Sequence, residues 1–372
     1  MANAKRAREV TNLQLRLAAL IRAHGPIGVD DYMADALGHP QEGYYMTQDP
    51  IGAAGDFTTA PEVSQMFGEL ICAWLAQSWS DMGEPSIVQL VELGPGRGAL
   101  MADILRSASV APQFAKALRV TLIETSGRLR YRQQAALKDF DTDIRWTANL
   151  SEAAPGPLLL IANEFLDCLP IKQYVKSNGR WRERRVGLKP GSAGEELAFI
   201  TDEAAADVSA ILPKELAGAE EGAVFEHRAA MEPLIAEIGY RLNEFKGRAL
   251  FIDYGHEKSG VGDTLQAVRG HGYWPPLASP GLADITSHVD FGAVIRSAEA
   301  AGTSVHGPVS QRDFLFRCGL AARAEALKQA GAAPETIDAA VRRLTDPDQM
   351  GALFKCLCLS HKDLPPPPAF AP

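Results

Sequence analysis

The stretch Ser86-Ile87-Val88-Gln89-Leu90-Val91-Glu92-Leu93-Gly94-Pro95-Gly96-Arg97-Gly98 decides the fold. From Ile87 to Leu93 the apolar run has the length of a buried strand. Three glycines at alternate positions then form a tight turn, and Leu100, Met101, Ile104 and Leu105 recur at helical spacing. Glycine, lacking a Cβ, lets the backbone bend sharply and approach a ligand, while the first N–H groups of a helix are unpaired and attract an acidic group. A strand, a glycine turn and a helix in this order predict an α/β protein with a nucleotide-like ligand.

Spacing narrows the ligand. Gly94, Gly96 and Gly98 make G-x-G-x-G, one residue short of the G-x-G-x-x-G of dinucleotide sites. Glu92, two positions before the first glycine, suits a ligand with a positive group near the strand end. S-adenosylmethionine carries both an amino group and a sulfonium, and the stretch resembles motif I of the class I methyltransferases. A glycine-rich turn in some other α/β protein is the plainer alternative.

Downstream, further apolar runs end in polar residues. Leu118 to Ile123 is a second strand closed by Glu124, placed to accept hydrogen bonds from ribose hydroxyls. Ser126 and Gly127 follow, so Glu124 also reads as the acidic cap of the next helix. Ile144 to Thr147 is a short third strand, and Trp146 at its exit reads either as an adenine neighbour or as core. A fourth strand, Leu158 to Ala162, delivers Asn163, Glu164 and Asp167 to the carboxyl end of the sheet, where open α/β folds bind ligands. An Asn and two carboxylates there can align an amine or guanidinium and accept a proton.

On the N-terminal side, Thr11 and Gln14 have capping-box spacing ahead of a helix that Gly25-Pro26 ends, and a second helix spans about Asp30 to Leu37. Thr59 and Glu62 repeat the capping-box spacing before a helix carrying Phe67, Leu70, Ile71, Trp74 and Leu75. The segment Gly55-Asp56-Phe57-Thr58-Thr59-Ala60-Pro61-Glu62 reads either as a capped helix start or as a functional loop with Asp56, Thr59 and Glu62 beside the ligand.

After the fourth strand, Ser177-Asn178-Gly179 marks a hairpin between Ile171–Val175 and Trp181–Val186. Residues 187–247, with a strand at Leu197 to Thr201 and a helix carrying Met231 to Leu242, read as an insertion shaping a substrate site. A fifth strand, Ala249 to Ile252, leads to a long loop containing His256, His271 and His288. These are too widely separated for a metal set, so no metal is expected, and His288 is retained as a loop candidate. A helix over Ala321 to Gln329 and a last strand at Leu353 to Leu359 precede a Pro365 to Pro368 tail expected to be disordered.

With 372 residues, 46% of them apolar, the chain can bury a large core. A net charge of -9 and a pI near 5.5 argue against a surface that neutralises phosphates, so nucleic acid is not expected, whereas a basic peptide segment suits the charge. Five cysteines without C-x-x-C pairing read as reduced thiols. No long apolar core follows the charged N-terminus, so neither a signal peptide nor a membrane span is expected, and the location read from this is cytoplasmic.

Five ordered blocks now carry a more specific resemblance. They are Gly55 to Glu62, Glu92 to Gly98, Ala162-Asn163-Glu164-Phe165-Leu166-Asp167, Ile252-Asp253-Tyr254-Gly255 and Ala283 to Phe291. Together they resemble the MidA family of S-adenosylmethionine-dependent methyltransferases, over about Ile27 to Leu359. The resemblance implies a class I Rossmann-like α/β fold: a seven-stranded, mostly parallel sheet with an N-terminal helical lobe and an inserted α+β lobe. The expected division is 1–85, 86–186, 187–247 and 248–372. It also implies arginine methylation of a protein partner, a respiratory complex I subunit in the family's mitochondrial member. Glu92, Gly94, Gly96, Gly98, Glu124, Trp146 and Asn163 are then the cofactor candidates, and Glu164, Asp167 and Asn163 the catalytic ones. An assembly factor that only holds its partner, and a small-molecule methyltransferase, are the alternatives.

Overall fold

The structure, a computed structural model, describes residues 9–48, 56, 58–191 and 195–370. Gly55 and Phe57 of the first resemblance block lie outside the described residues. The chain divides into two compact units. One comprises residues 58–167, 231–259 and 289–372, and the other residues 1–57, 168–230 and 260–288.

The first is built on an eight-stranded sheet with seven strands in one continuous order, β1 (Val88–Leu93), β2 (Leu118–Ile123), β3 (Asp143–Thr147), β4 (Leu158–Asn163), β5 (Gly247–His256), β6 (Ser304–Ser310) and β7 (Phe354–Ser360), while the short strand Val289–Asp290 pairs in parallel with the end of β5. Their spatial order is β6-β7-β5-β4-β1-β2-β3. Pairings from β5 through β3 are parallel, and β7 runs antiparallel to both β5 and β6. The expected mostly parallel sheet is present, with seven strands in its main order and the short Val289–Asp290 strand in addition. Every residue of β1 is buried, because the helices of a parallel sheet cover both of its faces. Trp74, Leu75, Met101 and Ile104 pack in one core with Leu90 and Leu122, each such side chain contributing roughly 1.5–3 kcal/mol on burial.

Register places the chemistry. Leu93 lies beside Ile123 on one side and Ala162 on the other, and Asn163 lies beside Ile252. After β1 the chain proceeds outward to β2 and β3, then returns to the other side of β1 as β4. The reversal falls at the carboxyl ends of β1 and β4, the ligand position in open α/β sheets.

The second unit is α+β. An antiparallel sheet joins Ile27–Gly28, Arg180–Leu188, Lys172–Ser177 and Val224–His227, with Leu197–Thr201 paired to Arg180–Leu188. Asn178 and Gly179 both take positive φ, 52° and 70°, as a tight hairpin of the expected kind requires.

Several expectations differ from this arrangement. Helix Gln65–Asp81, expected in an N-terminal lobe ending at 85, belongs to the sheet unit because its apolar face joins that core. Helix Met231–Phe245, expected in the insertion, also belongs to the sheet unit, whereas 168–186 belongs to the α+β unit. The N-terminal segment and the insertion therefore share one unit, since Ile27–Gly28 pairs with Arg185 and Val186. The long loop instead carries a three-stranded antiparallel sheet of Gly272–Trp274, Gln266–Arg269 and Asp284–Thr286, strands too short to show a period. The proline-rich tail, expected to be disordered, is anchored as far as residue 370. Trp74 Nε1 donates to the Pro368 carbonyl (3.1 Å), Arg248 Nη2 donates to that of Pro365 (2.6 Å), and Phe370 packs on Phe314.

Candidate cofactor site and the turn beside it

Gly94, Gly96 and Gly98 take φ of 61°, 54° and 84°, all in the left-handed region. A Cβ on Gly94 would stand 2.8 Å from Cδ2 of Phe165, so the glycine turn and the turn after β4 touch at a point where only hydrogen fits. Helix Ala99–Ala108 follows with Gly98 as its N-cap, leaving first-turn N–H groups at the strand ends.

Glu92 lies beneath this turn, 3% exposed, and its Oε2 has no hydrogen-bond partner among the described residues. Burial pushes its carboxyl up to about 8. A buried carboxylate without a partner is costly, so it either holds a proton or awaits a cation. The amino group of S-adenosylmethionine is a group of the kind it lacks, and the orphaned oxygen fits that cofactor.

Glu124, at the exit of β2, is also buried but is well partnered. Its Oε1 accepts from Ser126 N (2.8 Å) and its Oε2 from Gln133 Nε2 (3.2 Å). Burial raises its carboxyl, and the Ser126 and Gln133 bonds lower it in part. The capping alternative for Glu124 is thus present in the geometry, although Ser126 Oγ is the acceptor for Leu129 N. Each carboxylate oxygen has more than one lone pair, so these bonds leave acceptor capacity for ribose hydroxyls. Trp146 is half-buried and donates Nε1–H to Gln133 Oε1 (2.9 Å).

The turn after β4 is organised by a residue outside the predicted site. Asp253, at the end of β5, accepts at Oδ2 from the N–H groups of Phe165 (3.1 Å), Leu166 (2.9 Å) and Asp167 (3.2 Å). Glu164 N donates to the Ile252 carbonyl, and Glu164 takes φ 50°, left-handed for a residue with a side chain. Its Oε1 accepts from Ala60 N (3.1 Å) and Asn163 Nδ2 (3.2 Å), while Asn163 Oδ1 is buried without a hydrogen-bond partner. Asp167 is 5% exposed and accepts at Oδ2 from the Tyr254 hydroxyl (2.6 Å), so it faces an internal bond.

The loop candidates separate. Thr59 precedes a one-turn helix, Ala60–Val63, but its side chain makes no cap bond; its carbonyl accepts from Glu62 N. The chain breaks at Ser64, whose hydroxyl accepts from Met66 N and starts the longer helix, so the single capped helix expected from Thr59 is two. Asp56 lies in the α+β unit, where Oδ2 accepts from the Tyr44 hydroxyl (2.8 Å) and Oδ1 from Gly270 N (2.5 Å). Its carboxylate ties two segments of that unit. His288 lies there too, its N–H donating to Thr264 Oγ1. Among the described residues no group of His, Cys, Asp and Glu side chains could hold a metal ion, and no helix is long and apolar enough to cross a membrane.

Two buried polar residues were not among the expected site residues: Gln133, and Asp253, which appeared only within a resemblance block. Gln133 had a visible signal: Leu129, Gln133 and Leu137 form one stripe at i, i+4 and i+8, with an amide where an apolar residue belongs.

Comparison with known proteins gives the family. Residues 70–309 match the S-adenosyl-L-methionine-dependent methyltransferase family, and the chain belongs to it. The protein arginine methyltransferase NDUFAF7 homolog, mitochondrial, of Drosophila melanogaster is 37% identical over 377 residues, covering 94% of this chain and 84% of that protein. The protein arginine methyltransferase NDUFAF7, mitochondrial, of Homo sapiens is 31% identical over 384 residues, covering 94% and 83%. A crystal structure from Burkholderia thailandensis, bound to S-adenosyl-homocysteine, superposes with a TM-score of 0.84 at 28% identity, covering 96% of this chain and 94% of that one. The chain is a methyltransferase with S-adenosylmethionine as cofactor. The cytoplasmic expectation is corrected: the relatives are named as mitochondrial proteins. The lack of a long apolar segment bears on secretion and membrane insertion, not on the organelle.

Proposed function

We propose, with membership of that family as the premise, that this chain methylates an arginine of a partner protein, with Glu92 and Glu124 holding the two ends of the cofactor's nucleoside and amino-acid halves. The observation that carries the cofactor placement is the orphaned, buried Oε2 of Glu92 under a turn of three left-handed glycines. The arginine rests on the relatives named above as protein arginine methyltransferases.

Bound there, S-adenosylmethionine supplies a methyl group activated by its sulfonium. What remains for the chain is to orient the acceptor in line and remove its proton. A guanidinium is a poor nucleophile while its charge is delocalised, and its pKa is very high. A carboxylate that binds two of its N–H groups localises the charge and takes the proton as the new bond forms. Glu164 fills this role: it leaves the strand in a left-handed conformation, and Ala60 N and Asn163 Nδ2 fix one oxygen. Asp167 acts through Tyr254 by holding the turn. Asn163 Oδ1, buried and unbonded, serves as an acceptor for the cofactor or the substrate.

A respiratory complex I subunit is the partner we propose, following the family resemblance. The test is incubation of the full chain with isotopically labelled methyl donor and purified complex I subunits, read by peptide mass spectrometry. Methylarginine in one subunit is the expected result. Donor binding and partner capture without any methylated product would establish the holding function instead, and methylated small molecules alone would overturn the protein substrate.

A further inference from the structure

Gln133 is fully buried at the middle of helix Gly127–Leu137, and its amide bonds to the glycine turn and to the exits of β2 and β3. Its Nε2 donates to the Gly96 carbonyl (2.8 Å) and to Glu124 Oε2 (3.2 Å), and its Oε1 accepts from Trp146 Nε1 (2.9 Å). Chemistry alone fixes the direction of this amide. An indole N–H can only donate and a carbonyl can only accept, so Oε1 must face Trp146 and the NH₂ must face Gly96 and Glu124. A flipped amide would break all three bonds. The helix is also close at this point, since a Cβ on Gly98 would stand 3.3 Å from Gln133 Cα.

We infer that Gln133 is the positioning residue for the nucleoside half of the cofactor, joining the glycine turn, the ribose carboxylate Glu124 and the adenine-side Trp146 into one unit. The inference rests on the cofactor placement proposed above. One planar group sets the separation of three features that would otherwise be fixed independently by a turn and two strand exits. Burying an amide is unfavourable unless its hydrogen bonds are made, and here the amide makes three, so removing it leaves Gly96 O, Glu124 Oε2 and Trp146 Nε1–H each short of a partner. Packing alone would place leucine at this position of the Leu129 and Leu137 stripe.

The test is calorimetric binding of S-adenosylhomocysteine to the full chain, for wild type, Gln133→Met, Glu124→Gln and the double variant. Gln133→Met, close in volume, should weaken binding at least about 10-fold. The double variant should be no more than about 2-fold weaker than the weaker single, because both act on one contact. Unchanged affinity in a folded Gln133→Met, or effects of the two changes that multiply independently, would overturn the inference. Glu124→Gln without effect, in a wild type that binds, would instead sink the ribose placement, so the two failures are distinguishable. Should Gln133→Met not fold, Gln133→Glu keeps the acceptor for Trp146 and sets a second carboxylate against Glu124. Its affinity relative to wild type should fall about 10-fold at pH 7.5 and recover toward pH 5.5, where protonation restores a donor. A ratio that does not change with pH would mean that Gln133 only fills space.

Discussion

The exits of β1 and β4 lie side by side, yet they are built in opposite ways. At the β1 exit a buried glutamate has an oxygen with no hydrogen-bond partner among the described residues, and the helix after the glycine turn has no side-chain cap. At the β4 exit most polar groups bond to one another: Asp253 takes three backbone N–H groups, Asp167 takes the Tyr254 hydroxyl, and Glu164 takes Ala60 N and Asn163 Nδ2, while Asn163 Oδ1 has no hydrogen-bond partner among the described residues. Unmet hydrogen-bonding capacity in a buried place points to a ligand, because a protein alone rarely tolerates it. A satisfied network points first to shape. The cofactor half of the site is therefore assigned by what it lacks, and the acceptor half by what its rigid turn presents.

The contact between the two exits offers the most damaging test. Gly94→Val would place a branched Cβ against Phe165 and force a residue with a side chain to φ 61°. Left-handed backbone costs roughly 1–2 kcal/mol by itself, before the clash. Binding of S-adenosylhomocysteine should fall by about 100-fold or more, and thermal denaturation should show a lower midpoint. Near-normal binding would mean that the two turns move independently.

Next in size is the acceptor half. Glu164→Gln should lower methyl transfer by roughly 100-fold while cofactor affinity stays within a factor of about 2, as expected for a lost base and orienting charge. Asp167→Asn should act otherwise, lowering the melting midpoint because the acceptor of the Tyr254 hydroxyl is altered. If single-turnover kinetics show the larger rate loss in Asp167→Asn, the roles of the two carboxylates are exchanged.

Glu124→Ala should cost about 1–3 kcal/mol of cofactor affinity, the usual loss for a charged hydrogen-bonding group. Calorimetry on the folded variant decides it, and an unchanged Kd would return Glu124 to helix capping alone.

The last test concerns Glu92 and pH. In the ligand-free protein its carboxyl is held up to about 8, above the ordinary range near 4.5. Between those values the folded state binds a proton that the unfolded state has released, so stability falls as pH rises across the window, by on the order of 1 kcal/mol per pH unit. Above about 8 the contribution is gone. Melting curves of the ligand-free protein should drop from pH 6 to pH 8, and Glu92→Gln should flatten that slope. Affinity for the cationic donor should rise over the same interval in wild type, since binding gives the carboxylate its partner. Parallel pH profiles for wild type and Glu92→Gln would show that Glu92 does not titrate there.

The sheet and its ligand edge were legible in the sequence because fully buried strands are written as continuous apolar runs. Leu118 to Ile123 is observed with the expected bounds, and Val88 to Leu93 and Leu158 to Asn163 within one residue of them. Glycines at positive φ and the Asn-Gly hairpin are local requirements, so they too could be read directly. Other features depend on partners far along the chain. Nothing near Asp253 announces that it will gather the amides of residues 165–167, and nothing near Asp56 announces Tyr44 and Gly270. Ile27–Gly28 joins the α+β unit only because Val186 lies opposite it, and the tail is held only because Trp74 and Arg248 meet its carbonyls. The sequence by itself determined the strand order's raw material, the cofactor turn and the residue types at each strand exit, since these follow from periodicity and backbone sterics within a few residues. Only the tertiary structure decided which carboxylate is satisfied and which is left wanting, because hydrogen bonds and burial between distant segments are properties of the folded arrangement and not of any local stretch.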